Sequence, residues 1–145
     1  MIPIIVLLLG TISARLAGLA GVDALDSWQI SVRAGLAGML LLTGSAHWGR
    51  RRADLIAMVP DRFPRPGLLV TLTGALELAG AAGLLISETA PYAAVALALL
   101  FVAMFPANIS AARRRLTING QPVTPLPQRT ALQVLFVAAA VAAAV

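Results

Sequence analysis

The sequence predicts an all-α membrane protein, a bundle of five transmembrane helices in a single domain of residues 1–145. Of these residues 59% are apolar and 12% are charged, and the mean hydropathy is +0.89. A soluble domain usually carries about twice that charged fraction. The apolar runs are continuous rather than alternating, and they exceed the roughly ten residues that a spanning β-strand needs. Helices, which pair their backbone polar groups internally, therefore fit the pattern.

Five apolar stretches qualify as spans, since a transmembrane helix needs about 20 residues. They cover residues 2–20, 30–46, 67–86, 91–112 and 130–145. The first contains Arg15, and the second gains length from Trp28 and Trp48 as interfacial anchors. No basic segment precedes the first stretch, so we expect a retained helix rather than a cleaved signal. Residues 53–59 are predicted to form a short helix at the membrane interface.

The distribution of arginine predicts the orientation. All eleven basic residues are arginines, and nine of them lie in residues 48–66 and 113–129. The other two connections carry Asp23, Asp26 and Glu88 and no arginine. By the positive-inside rule the arginine-rich loops are cytoplasmic, which places the N-terminus inside and the C-terminus outside. We interpret the bias as the orienting signal itself, with lipid or partner binding by the arginines as the alternative.

Composition also predicts the setting and excludes several kinds of chemistry. The use of arginine alone, with abundant alanine and glycine, indicates a GC-rich bacterial genome and hence the inner (plasma) membrane. The basic charge lies in loops between spans, so we expect no nucleic-acid partner. The absence of cysteine excludes disulfides, thiol catalysis and thiolate metal sites. A single histidine cannot by itself build a conventional zinc or haem site, so no metal is predicted.

Three charged residues fall at membrane depth, where charges are costly. At about 1.5 Å per helical residue, Glu77 lies about 15 Å into the third span, whereas Arg15 and Arg33 lie roughly 20 Å up the first and second. We therefore expect the arginines to pair with Glu77. Thr73, Gly74, Gly80 and Ala81 share its helix face, and such small residues let a neighbouring helix approach closely.

A second polar layer is predicted nearer the cytoplasm. Thr43 and His47 share one face of the second span, and Asn108 and Gln133 lie at a depth similar to that of Thr43, about 6 Å. Pro106 cannot donate to the Val102 carbonyl, so the fourth span should kink or expose an acceptor near Asn108. These side chains could line a cavity for a polar head group.

Structural interpretations stand beside the functional ones. Arg15, Arg33 and Glu77 could form an ion pair that sets helix register instead of a ligand site. His47 could be solvated or bonded to a carbonyl. Asn108 and Gln133 could be hydrogen bonders between helices.

Several segments together resemble the DoxX family of small bacterial membrane proteins. They are Arg33-Ala-Gly-Leu-Ala-Gly-Met, Thr43-Gly-Ser-Ala-His47, Met58-Val-Pro60, Phe63-Pro-Arg-Pro66, Leu72-Thr-Gly-Ala-Leu-Glu77-Leu-Ala-Gly80, Phe105-Pro-Ala-Asn108-Ile, and Arg129 followed by Gln133. The resemblance implies a four-helix core in spans two to five, with residues 2–20 as an N-terminal addition. Relatives are associated with quinone-linked thiosulfate oxidation, maturation of redox enzymes and membrane complexes that handle oxidative stress.

Three functions follow as hypotheses. The first is a membrane subunit that binds a quinone or another lipid-like molecule for a redox protein partner, with ligand contacts from Arg15, Arg33, Thr43, His47, Glu77, Asn108 and Gln133. The second is a structural or assembly protein that docks a partner through its arginine-rich loops. The third is an enzyme in which Glu77 or His47 acts as acid or base on a lipophilic substrate. We expect a protein that is not catalytic on its own, and a homo-oligomer if it encloses a pathway.

Overall fold

A computed structural model of the protein describes residues 2–118 and 120–145. Within those ranges it contains six α-helices, one turn of 3-10 helix and two short strands. In chain order they are α1 (Ile2–Leu19), the 3-10 turn (Asp23–Leu25), α2 (Trp28–Ala46), α3 (Arg52–Met58), α4 (Pro66–Leu84), α5 (Ala90–Arg113), β1 (Thr117–Ile118), β2 (Gln121–Pro122) and α6 (Leu126–Ala144). The predicted all-α fold is confirmed.

Four of these helices, α1, α4, α5 and α6, are long and apolar enough to cross a membrane, which indicates an integral membrane protein. Helix α2 has 19 residues but is not among them. Gln29 and Arg33 lower its apolarity. Helix α6 begins at Leu126, four residues before the start predicted from the sequence, because its first turn is built from polar residues and proline.

Helices α2, α4, α5 and α6 form a closed ring in which each helix packs against the next and α6 returns to α2. Neighbouring helices run antiparallel. Between α5 and α6, for example, Asn108 contacts Arg129 while the more distant Gln133 contacts Phe101. The short connection between α4 and α5, residues 85–89, favours this arrangement, since short loops bring consecutive helices together as antiparallel neighbours.

Helix α2 has the most central position in the bundle. It packs against α1, α4 and α6, and seven of its residues are buried. They are Ser31, Gly35, Leu36, Ala37, Met39, Leu40 and Gly44. A helix surrounded in this way is in contact with protein on most sides and exposes little surface to lipid. It therefore tolerates polar side chains, because they pair with other groups inside the bundle.

Helix α1 packs on the outside of the ring against α2, and two glycines bring the backbones together. A Cβ at Gly10 would lie 2.9 Å from the Gly35 Cα, and a Cβ at Gly35 would lie 2.5 Å from the Leu7 carbonyl oxygen. Association in lipid depends on close packing, because no hydrophobic force favours one helix over an acyl chain. The Gly10–Gly35 contact therefore helps to hold α1 on the bundle.

The two arginine-rich loops lie together at one end of the bundle. Arg114, just after α5, donates to the Ala57 carbonyl oxygen in α3 at 3.0 Å and lies 3.7 Å from Asp61. We call this the arginine-rich end, defined by residues 47–65 and 113–129. The predicted short helix is present there as α3, one residue earlier than expected at each end.

A bulkier residue at the α1–α2 contact should weaken the fold. In Gly35→Ala the new methyl group would meet Thr11 Oγ1 and the Leu7 carbonyl, so we expect the free energy of unfolding to fall by about 1–3 kcal/mol. Reversible unfolding in detergent micelles measures this. Gly38→Ala is the matched control, since its Cβ would have the Val6 Cγ1 at 3.8 Å. Equal losses in both variants would contradict the proposed contact.

Candidate functional site

Glu77 is the only buried acidic residue in the part of the chain that the structure describes. It lies in the middle of α4 and is 3% exposed. Its carboxylate faces α2, where the Thr43 hydroxyl donates to Oε2 at 2.5 Å. A buried carboxylate needs such a donor, because its desolvation is otherwise uncompensated. The prediction that Glu77 faces protein is confirmed.

His47 completes this buried cluster and is 4% exposed. Its Nδ1 lies 2.9 Å from the Thr43 carbonyl oxygen. A carbonyl only accepts, so Nδ1 must carry the hydrogen of that bond. The other ring nitrogen, Nε2, lies 4.0 Å from Glu77 Oε1. The histidine is thus bonded to a carbonyl and faces the carboxylate.

Glycines on the two helices make room for the cluster. A Cβ at Gly74 would lie 2.5 Å from the His47 Cβ, so the imidazole occupies the space that a larger residue would fill. On α2, a Cβ at Gly44 would lie 2.7 Å from the Leu78 Cδ2. Thr43, His47 and Glu77 therefore meet where α2 and α4 approach closely, and together they fix the register of the two helices.

The expected pairing of Glu77 with Arg15 and Arg33 is wrong. Arg15 forms an ion pair with Asp26 at 2.8 Å and lies over the Trp28 ring, 5.5 Å from its centroid. It sits one turn from the end of α1, so its long side chain reaches the polar loop there. Arg33 donates from Nε to the Ala143 carbonyl oxygen of α6 at 2.8 Å.

The depth estimate failed because α4 begins well beyond the end of α2. Arg52 of α3 donates to the His47 carbonyl oxygen at 2.9 Å and, from its other nitrogen, to Gly67 O and Thr71 Oγ1. The first turn and a half of α4 thus packs on α3. Glu77 then lies level with the last turn of α2 rather than with its middle. In the sequence Arg52 is indistinguishable from the other loop arginines, because it stands in the triplet Arg50-Arg51-Arg52.

Asn108 and Gln133 belong to a separate group between α5 and α6. Arg129 donates to Asn108 Oδ1 at 2.5 Å, and Gln133 donates to the Phe101 carbonyl oxygen. The interpretation as hydrogen bonders between helices fits these contacts. Thr43 instead bonds to α4, so the three residues do not form one polar layer. Helix α5 continues through Pro106, and the carbonyl that receives a side chain is that of Phe101.

Two open grooves lie elsewhere on the surface. The first, of about 410 Å³, lies at the arginine-rich end between the end of α5, the β1–β2 hairpin and the start of α6. The second, of about 390 Å³, lies between α1, α2 and α6. Its apolar wall includes Leu7, Leu8, Val32 and Leu135, and Thr11 and Trp28 are the lining residues whose side chains carry a polar atom. Neither groove is lined by Glu77 or His47.

Within residues 2–118 and 120–145 no group of three histidine, cysteine or acidic residues could hold a metal ion. Of the seven residues predicted to form the site, the structure brings Thr43, His47 and Glu77 together. Asn108 and Gln133 lie along the α5–α6 contact, Arg33 contacts α6, and Arg15 lies beside Trp28 at the rim of the second groove.

Comparison with protein families identifies one match. A family model described as "Domain of unknown function (DUF8561)" matches residues 36–144. The matched range runs from the middle of α2 to the end of α6 and contains Thr43, His47, Glu77, Asn108 and Gln133. No curated protein and no solved structure matches the chain.

Removing the donor to Glu77 should destabilise the α2–α4 contact. Thr43→Val keeps the shape of the side chain but leaves Oε2 without its hydroxyl donor, so we expect a loss of about 1–3 kcal/mol in the free energy of unfolding. Unfolding in micelles measures it. The control is Thr73→Val, because the Thr73 hydroxyl donates only to Leu69 and Val70 carbonyls of its own helix. An unchanged stability in Thr43→Val would refute the role of this bond.

Proposed function

We propose that this chain, which belongs to the DUF8561 family, is a five-pass membrane subunit that binds a quinone or another lipid-like molecule for a redox partner. The observation that carries the proposal is the apolar groove between α1, α2 and α6. It opens toward the acyl chains and has an indole at one side. The resemblance to the DoxX family supports a quinone as the occupant.

The groove has the chemistry that a lipophilic ring with carbonyl oxygens requires. Ligand sites are mostly apolar with a few polar groups that fix orientation. Leu7, Leu8 and Leu135 supply the apolar wall. The Arg15 guanidinium lies over Trp28 and uses Nη1 for Asp26, which leaves further N–H donors for a carbonyl oxygen.

Five spans are favoured by the antiparallel packing of α2 between α1 and α4. Its 19 residues give a length of about 28 Å, close to the roughly 30 Å of a hydrocarbon core. Its polar side chains pair inside the protein, which lowers the cost of placing them in lipid. The clustering of arginines at one end supports a cytoplasmic position for that end and for the N-terminus, in a bacterial inner membrane.

Tryptophan fluorescence tests binding in the groove, since the chain has two tryptophans. In Trp48→Phe the remaining indole, Trp28, lines the groove, and we expect saturable quenching by a short-chain quinone in micelles. In Trp28→Phe the remaining indole lies at the arginine-rich end and should show only linear, collisional quenching. Analysis of co-purified lipids for quinone gives an independent measurement.

A variant that fills the groove provides the matched control. Ala142→Phe, made in the Trp48→Phe background, should abolish saturation because the new ring occupies the groove. Val141→Phe places the same ring on another, exposed face of α6 outside the groove and should leave saturation intact. Linear quenching in every variant, together with no co-purified quinone, would reject the proposal.

A second candidate is an assembly protein that docks a partner through the arginine-rich end. The observation that favours it is the Arg114 contact with α3, which joins the two basic loops into one face. Arg50→Gln with Arg51→Gln should then reduce recovery of a specific partner from native membranes. Glu77→Gln should lower stability and leave recovery unchanged, and the opposite pattern would reject docking at this face.

Acid–base catalysis is the candidate that the geometry favours least. Glu77 and His47 lie close enough to exchange a proton through a small movement, at 4.0 Å. Both side chains are buried, however, and neither of the two grooves gives a substrate access to them.

A further inference from the structure

The groove at the arginine-rich end combines apolar walls with two guanidinium groups. Its walls are formed by residues from the end of α5, the β1–β2 hairpin and the start of α6. They include Arg113, Arg115, Leu116, Val123 and Leu126. Its volume is about 410 Å³. Because it lies where α5 ends and α6 begins, it faces the boundary between acyl chains and head groups.

Three consecutive arginines stand at this groove, and they differ in their partners. Arg114 donates to the Ala57 carbonyl and contacts Asp61, so it is used for packing α3 against α5. Arg113 and Arg115 line the groove, are exposed, and have no hydrogen-bond or ion-pair partner within the described ranges. Two guanidinium groups on either side of the packing arginine are therefore available to an anion.

The backbone holds Arg115 in a conformation that disfavours a side chain. Its φ is 50°, the left-handed region in which glycine is the usual residue after a helix. The turn is closed by bonds from Leu116 N to Ala111 O and from Arg115 N to Ala112 O. It carries the chain back over the end of α5 and places Leu116 beside Arg115 in the groove wall.

We propose that this groove binds an anionic phospholipid of the cytoplasmic leaflet, with its phosphate held by Arg113 and Arg115. Guanidinium groups suit phosphate because their N–H donors match its oxygen atoms in pairs. The beginnings of the acyl chains would lie against Leu116, Val123 and Leu126. These apolar walls favour a lipid over a free phosphate, which would leave them in contact with water.

This inference is independent of the proposed quinone groove, which lies between α1, α2 and α6. Basic residues next to a membrane attract anionic lipids, by about fivefold in affinity for each arginine. That attraction is diffuse, however, and seven other arginines share this end of the bundle. A lipid bound in the groove requires instead that Arg113 and Arg115 contribute more to the affinity than the other arginines at this end.

Arg115→Gly and Arg65→Gly form a matched pair that separates these cases. Arg65 also lies at the arginine-rich end, and its φ of 54° is nearly the same as that of Arg115. Each substitution removes one guanidinium and gives the left-handed position the residue that suits it best. Neither variant should therefore lower the melting temperature. Only Arg115 lines the groove.

The experiment titrates full-length protein in detergent with dioctanoyl phosphatidylglycerol, dioctanoyl phosphatidylcholine or inorganic phosphate, and native mass spectrometry counts the bound molecules. We expect the wild type to prefer phosphatidylglycerol by about tenfold or more. Arg115→Gly should lose at least fivefold of that preference, Arg113→Gln with Arg115→Gly should lose nearly all of it, and Arg65→Gly should retain it.

Three results would overturn the assignment. Equal losses in Arg65→Gly and Arg115→Gly would show diffuse attraction to the basic end. Displacement of phosphatidylglycerol by inorganic phosphate at similar concentration would show that the apolar walls contribute nothing. No preference for phosphatidylglycerol over phosphatidylcholine in the wild type would show that no anionic lipid site exists.

Discussion

The contact between α2 and α4 depends on one hydrogen bond, from the Thr43 hydroxyl to the Glu77 carboxylate. A carboxylate inside a membrane protein has no water to solvate it, so its partners must come from a neighbouring helix. Thr43 and His47 supply them, and Gly44 and Gly74 allow the two helices to come close enough. With this register set, α5 and α3 pack against α4, and α1 and α6 pack against the other sides of α2.

The same requirement explains why the polar residues are distributed over the bundle instead of gathered in one centre. Arg33 reaches a carbonyl of α6, Arg129 reaches Asn108, and Gln133 reaches a carbonyl of α5. Each pair joins two neighbouring helices of the ring. Because lipid is as apolar as a helix surface, helices associate through close packing and through hydrogen bonds between them. The polar pairs therefore add to the packing at each helix contact.

The surfaces on which our proposals rest are therefore the grooves and the basic end, whereas Glu77 is buried between α2 and α4. The groove between α1, α2 and α6 is apolar with an indole at its side, and the groove at the arginine-rich end has two arginines that contact no partner among residues 2–118 and 120–145. The two grooves lie at different places on the bundle, one at the start of α6 and the other farther along it beside α1 and α2. We propose that one of these surfaces binds a lipophilic ring and the other an anionic head group.

Length and apolarity alone determined the number, the order and nearly all the boundaries of the long helices, because lipid forces each spanning segment to satisfy its own backbone. The sequence alone shows that the arginines fall in two alternate loops. The glycines near Glu77 predict that its side chain faces protein. The partner of Glu77 could not be predicted from the sequence. A count of 1.5 Å per residue assumes that every helix begins at one level, whereas α3 and Arg52 shift α4 along α2 by more than a turn. Only the tertiary structure could decide that offset, because it arises from packing between helices that are distant in sequence.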